Sequence, residues 1–109
     1  MKRSPFGAII GLIILVSLSH LISLSEAAEP LSLTGRVYSR SSNRPVSSVW
    51  VEVLRGGRRV GRSLTGDEGK YYISGLDRGA YEIVVLRGKQ QLFKGRLEIT
   101  GNKAFDINL

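Results

Sequence analysis

The chain has 109 residues, 16 Lys and Arg against 9 Asp and Glu for a formal net charge of +7, 42% hydrophobic residues and no cysteine. This length admits one domain, and the missing cysteine excludes disulfides, thiolate metal sites, a lipid-modified cysteine and thiol redox sensing. The single histidine, His20, lies near the N-terminus, so residues 29–109 cannot assemble a His-based triad, a His general base or a typical zinc site.

Residues 1–28 differ in composition from the rest. Lys2 and Arg3 precede a nearly unbroken apolar run from Phe6 to Val16, and small and polar residues fill positions 23–28. That order is the order of a secretory signal, with Ala27 and Ala28 at fitting cleavage positions. The alternative is an uncleaved anchor. Residues 6–24 number 19, enough to cross roughly 30 Å of hydrocarbon. Against it, Ser17, Ser19, His20 and Ser23 dilute the second half of the segment, and no basic stop-transfer cluster follows. Under both readings Lys2 and Arg3 hold the N-terminus inside. The remainder is therefore expected to be periplasmic or extracellular, touching a membrane only through an uncleaved N-terminal segment.

Residues 29–109 are expected to form the domain. Setting aside Lys2, Arg3 and Glu26 leaves 14 basic and 8 acidic residues, a balance of +6. A domain of this size buries only about 60% of its unfolded surface, so its core must stabilise it without staples. Helical periodicity is absent. Short runs of Val, Ile, Tyr, Phe and Thr alternate with glycine-containing turns, the signature of an all-β sandwich.

Seven strands are predicted. The first covers 32–39, with Leu33, Gly35 and Val37 on one face. Pro45, which cannot donate to a ladder, marks entry to the second at 46–54. There Val49, Val51 and Val53 face one way, and Trp50 and Glu52 the other. Arg55-Gly56-Gly57-Arg58 reads as a tight hairpin leading into 60–65, a strand weakened by Gly61. Gly66-Asp67-Glu68-Gly69 turns the chain into 70–74, with Tyr71 and Ile73 on the core side and Tyr72 opposite. Leu76, within the next turn, is expected to plug the end of the sandwich. The fifth strand, 80–87, points Tyr81, Ile83 and Val85 inward. Val84 and Leu86 on its other face suggest a central strand covered on both sides. The sixth, 91–99, buries Phe93, Leu97 and Ile99. Gly101-Asn102 is expected to close a last hairpin, after which Phe105, Ile107 and Leu109 complete the core.

Leu33-Thr34-Gly35-Arg36-Val37, Pro45-Val46 and Val49-Trp50-Val51-Glu52-Val53 resemble the opening of carboxypeptidase regulatory-like domains. The run Thr65-Gly66-Asp67-Glu68-Gly69-Lys70-Tyr71-Tyr72-Ile73, then Gly75-Leu76 and Gly79-Ala80-Tyr81, is similar to the more specific middle of that family. The resemblance spans 33–109 and implies a seven-stranded antiparallel Greek-key β-sandwich of the prealbumin (transthyretin-like) type. That fold is often classed with carbohydrate-binding-like folds and is used for scaffolding and interaction more than for one ligand. Ser48 stands where the family usually has glycine, Asp77 where proline is frequent and Lys89 where an aromatic is frequent. The histidines that transthyretin-related hydrolases use, and the zinc-peptidase machinery that accompanies some relatives, are missing. No catalytic residue, metal site or cofactor is expected.

Two features remain as candidate partner-binding residues. Arg55, Arg58, Arg59 and Arg62 surround one hairpin, with Arg36, Arg40 and Arg44 near the other end. They read either as a solubilising, edge-protecting surface or as an attractor of anionic partners. Nucleic acid is not expected, because no stacking aromatics interleave with these arginines. Trp50 and Tyr72 point away from the core strand faces. Such aromatics stack on sugars, anchor a protein interface or pack on a neighbouring side chain. Asp67 and Glu68 read as turn residues, too few for calcium. The expected function is an exported, non-catalytic module that binds a protein or polysaccharide. The alternative is a structural subunit assembled through edge-strand pairing.

Overall fold

A computed structural model describes residues 29–109; the expected signal or anchor over 1–28 lies outside the described residues. These fold into eight strands with no helix: β1 Leu31–Tyr38, β2 Trp50–Arg55, β3 Arg58–Leu64, β4 Lys70–Leu76, β5 Gly79–Arg87, β6 Gln90–Ile99, β7 Lys103–Ala104 and β8 Ile107–Asn108. They form two sheets. One has the order β4-β1-β7, with β8 also on β1; the other has the order β3-β2-β5-β6.

Period-two alternation supplies each sheet with one apolar face, and the two faces share a single core. Leu33, Val37, Tyr71, Ile73, Leu76 and Ile107 come from the β1 sheet. Val51, Val53, Tyr81, Ile83, Val85, Leu97 and Ile99 come from the β5 sheet. Of the residues expected inward, Val37, Val51, Tyr71, Ile73, Leu76, Tyr81, Ile83 and Val85 lie in that core, whereas Phe93, Phe105 and Leu109 are only partly buried and pack against it. Gly56 and Gly57, both at positive φ, make the two-residue turn whose twist matches the β2–β3 hairpin.

Several expectations are corrected. The strands number eight rather than seven, and they are not all antiparallel, because β7 and β8 run parallel to β1. Gly101-Asn102 closes no hairpin: the chain leaves β6 and crosses to the other sheet, where Asn102 Oδ1 accepts the Ser32 N–H at 3.0 Å. The expected last strand splits in two around Phe105 and Asp106, since the Asp106 carboxylate, not a ladder carbonyl, accepts the Arg36 N–H at 2.9 Å. Regular β2 begins at Trp50 instead of residue 46, because Ser48 adopts φ +58° and breaks the extended run. Val84 is buried on the outer side of β5 without a second layer above it. Its cross-strand neighbours Glu52 and Lys94 flank it.

Candidate functional site

Because Val51 and Val53 enter the core, β2 presents Trp50, Glu52 and Leu54 on the solvent side of the β5 sheet. Register then assembles that face in rows. Leu64, Trp50 and Leu86 share one; Arg62, Glu52, Val84 and Lys94 the next; Arg59, Leu54, Glu82 and Arg96 the third. A bulge in β3 between its pairings with Val53 and Leu54 sets which β3 residues fall in which row.

Two arginines on this face, Arg59 and Arg62, are engaged. The Arg62 guanidinium lies 3.8 Å from the centroid of the Trp50 ring, a cation–π stack that leaves the indole half-buried. Arg59 donates to Glu52 Oε2 at 3.0 Å, and Arg62 stands 3.9 Å from the same oxygen. The Glu52 side chain is only 12% exposed, so two guanidinium groups neutralise a largely covered carboxylate and one of them roofs the tryptophan. Lys94 pairs with Glu82 at 3.5 Å. Leu64 remains 50% exposed beside Trp50, giving the cluster an apolar flank.

Of the six sequence candidates, the structure gathers Trp50, Arg59 and Arg62. Arg55 turns away. Its guanidinium sits 5.3 Å over the Tyr81 ring, donating to the Tyr81 hydroxyl at 3.4 Å and to the Arg78 carbonyl at 3.3 Å. Since the Tyr81 hydroxyl donates to the Asp77 carbonyl at 2.6 Å, Arg55 ties the β2–β3 hairpin to the β4–β5 turn. Arg58 is exposed at the hairpin tip, outside the cluster. Tyr72 is 59% exposed but stands on β4, paired with Thr34 of β1, on the other sheet. The two outward aromatics therefore belong to opposite faces.

Sequence reasoning missed Glu52 as the organising group, although its spacing of two from Trp50 places both on one side of a strand. Leu64 was not recoverable, because its row depends on the β3 bulge. The Asp67-Glu68 turn closes through a Gly69 N–H to Gly66 carbonyl bond of 2.9 Å, and Glu68 pairs with Lys70 at 3.4 Å. Among the described residues no three potential metal ligands of the His, Cys, Asp and Glu types converge.

No protein-family profile and no curated protein matches the chain. Solved structures do. A DUF3823 family protein from Bacteroides ovatus superimposes with a TM-score of 0.59 at 19% identity over 73% of this chain and 44% of its own. The chain thus spans less than half of that protein. Klebsiella pneumoniae 5-hydroxyisourate hydrolase gives a TM-score of 0.55 at 18% identity, covering 72% of this chain and 90% of its own. The major pilin subunit of Bacillus cereus gives 0.51 at 9% identity, covering 73% and 29%. What these proteins share with the chain is the fold, a prealbumin-like β-sandwich. At such identities activity does not carry across.

Proposed function

We propose that residues 29–109 are an exported, non-catalytic β-sandwich module of the carboxypeptidase regulatory-like kind, with Greek-key connections. On this reading residues 1–28 serve as a signal or anchor, and the domain binds a protein or polysaccharide partner through the solvent face of the β5 sheet. The carrying observation is the Trp50–Arg62–Glu52–Arg59 cluster with half-exposed Leu64 beside it. An aromatic and an arginine held in one geometry, bordered by apolar surface, is the composition of an interface hot spot. The guanidinium groups are preorganised by Glu52, so less side-chain entropy is lost when a partner binds. A non-catalytic role is supported by the absence of histidine from residues 29–109.

The test is capture of partners from envelope extracts and a glycan array with wild type, Trp50→Ala and an Arg59→Ala/Arg62→Ala double variant. Loss of the same ligand in both variants, with unfolding midpoints retained, supports the reading. Equal retention by all three overturns it. A second reading rests on β6, a ten-residue strand that pairs only with β5 among the described strands. A free edge of that length is a template for strand addition. Concentration-dependent oligomers abolished by Lys94→Pro would favour a structural subunit.

A further inference from the structure

The opposite face of the sandwich holds a separate hollow, lined by Thr34, Arg36, Tyr38, Lys70, Tyr72 and Asp106 together with the backbone of Gly35. Its construction follows from register. Tyr72 opposes Thr34, Lys70 opposes Arg36, and Tyr38 opposes Asn108 of β8. Thr34, Arg36 and Tyr38 alternate along β1, so the two tyrosines lie at opposite ends of the hollow, about 13 Å apart along the strand direction. The arginine and lysine stand between them.

Two properties distinguish this hollow. The first is charge balance: Arg36 and Lys70 are offset by Asp106, which accepts the Arg36 backbone N–H at 2.9 Å, and by Glu68, 3.4 Å from the Lys70 ammonium. A strongly anionic or cationic ligand gains little from such a site. The second is unused hydrogen-bonding capacity. Among the described residues, Arg36 and Tyr72 enter intramolecular hydrogen bonds through their backbone N–H groups, to Asp106 and to Ser63 Oγ at 3.2 Å. The Arg36 guanidinium, both phenols and the second Asp106 oxygen are left to solvent. A carboxylate, a guanidinium and an ammonium beside an open aromatic ring present acceptors, donors and a π-face together.

The geometry points to a binding site for an uncharged saccharide: we propose that one pyranose ring stacks on Tyr72 while its hydroxyls bond Asp106, Arg36 and Lys70, the chain running along β1 toward Tyr38. A neutral sugar fits because each hydroxyl both donates and accepts, matching a lining that mixes the two, and because its C–H face suits an exposed phenol ring. This site is independent of the Trp50 face and stands or falls separately from it.

The test is amide and aromatic NMR of the full-length chain, purified as the cell processes it, titrated with neutral tetrasaccharides (of glucose in two linkages, of xylose and of mannose) and with tetragalacturonate. At least one neutral tetrasaccharide should shift Thr34, Arg36, Lys70, Tyr72 and Asp106 resonances without moving the Trp50 indole. The apparent Kd should rise at least tenfold in Tyr72→Ala, stay within threefold in Tyr72→Trp and Trp50→Ala, and be insensitive to salt. Shifts confined to the Trp50 face, a salt-dependent preference for tetragalacturonate, undiminished binding by Tyr72→Ala, or no shift with any of the four neutral ligands at millimolar concentration would each overturn the proposal. Tyr72 is 59% exposed, so its replacement leaves the fold in place.

Discussion

The two outer faces of the sandwich rest on one core yet dispose of their polar groups in opposite ways. On the β5 sheet, long antiparallel ladders, with a bulge in β3, set Arg62, Glu52 and Lys94 in one row and Arg59, Glu82 and Arg96 in the next. Arg59, Arg62 and Lys94 meet carboxylates there, and the aromatic is roofed by one of these arginines. On the β1 sheet, the short parallel strands are interrupted by Phe105 and Asp106, and the carboxylate spends its bond on a backbone N–H. Tyr72 is left bare. Tyr72 stands on the antiparallel β1–β4 ladder, opposite Thr34 instead of a charged or aromatic side chain, so cross-strand pairing gives its ring no roof.

The comparison breaks most completely at the shared core. Ile83 is fully buried, and Ile83→Ala should cost about 2–5 kcal/mol, read from chemical denaturation, with both faces lost in one transition. A change below about 0.5 kcal/mol, the surface range, would place Ile83 outside the core.

Gly35→Ala should separate the faces. A Cβ at Gly35 would collide with the Phe105 carbonyl oxygen and lie 2.9 Å from the Tyr71 ring, so the backbone around Phe105 must move. Overpacking of this kind costs about 1–3 kcal/mol. Hydrogen exchange should quicken at the Arg36 and Phe105 amides while the β2–β3 ladder stays protected. Equal acceleration on both sheets would show that the faces are not mechanically distinct.

Tyr71→Phe probes the same side more gently. The Tyr71 hydroxyl donates to the Phe105 carbonyl at 2.5 Å, and loss of such a bond is worth about 0.5–1.5 kcal/mol. Burial, and secondarily the Asp106 carboxylate, pushes this phenol well above the ordinary tyrosine range. The folded state therefore keeps a proton that the unfolded chain releases near pH 10. This contribution is full below that pH and declines as pH rises above it. The wild type should lose stability more steeply than Tyr71→Phe between about pH 9.5 and 11; parallel curves would contradict the shift.

Much of this architecture was legible in the sequence, since alternation in β2, β4 and β5 names the inward residues directly. What escaped has physical causes. Parallel pairing of β7 and β8 is a long-range event with no local signature, and the rows of the β5 face depend on a bulge. The Trp50 cluster was half visible: its aromatic and arginines stand out, but which arginines converge depends on register, and Arg55 is captured by Tyr81. Ser48 is the instructive middle case. Its place where glycine is usual was legible, and φ +58° supplies the reason. A non-glycine residue there costs about 1–2 kcal/mol, partly offset by the greater unfolded-state freedom of glycine. Ser48→Gly should accordingly stabilise by about 0.5–1 kcal/mol, raising the thermal midpoint, and a lowered midpoint would mean that the Ser48 side chain contributes more than its backbone strain.

The smallest energetic effect is expected at Arg62, and it is the most direct reading of how the Trp50 face differs from the Tyr72 face. An exposed cation–π pair contributes about 0.5–1 kcal/mol, and the 3.9 Å approach to Glu52 adds little, since Arg59 already holds that oxygen and exposed pairs are weak. Trp50 is the chain's single tryptophan, so its fluorescence reports this face alone. Arg62→Ala should shift the emission to longer wavelength and increase quenching by a neutral quencher such as acrylamide, as the ring loses its roof to water. Arg62→Lys should give an intermediate result, because an ammonium lacks the planar surface that stacks on an indole. The Tyr72 face serves as the control: its amide resonances should remain in place in both variants. An unchanged emission spectrum in Arg62→Ala would mean that Trp50 is covered by something other than the guanidinium, and the contrast between a roofed and a bare aromatic would then fail.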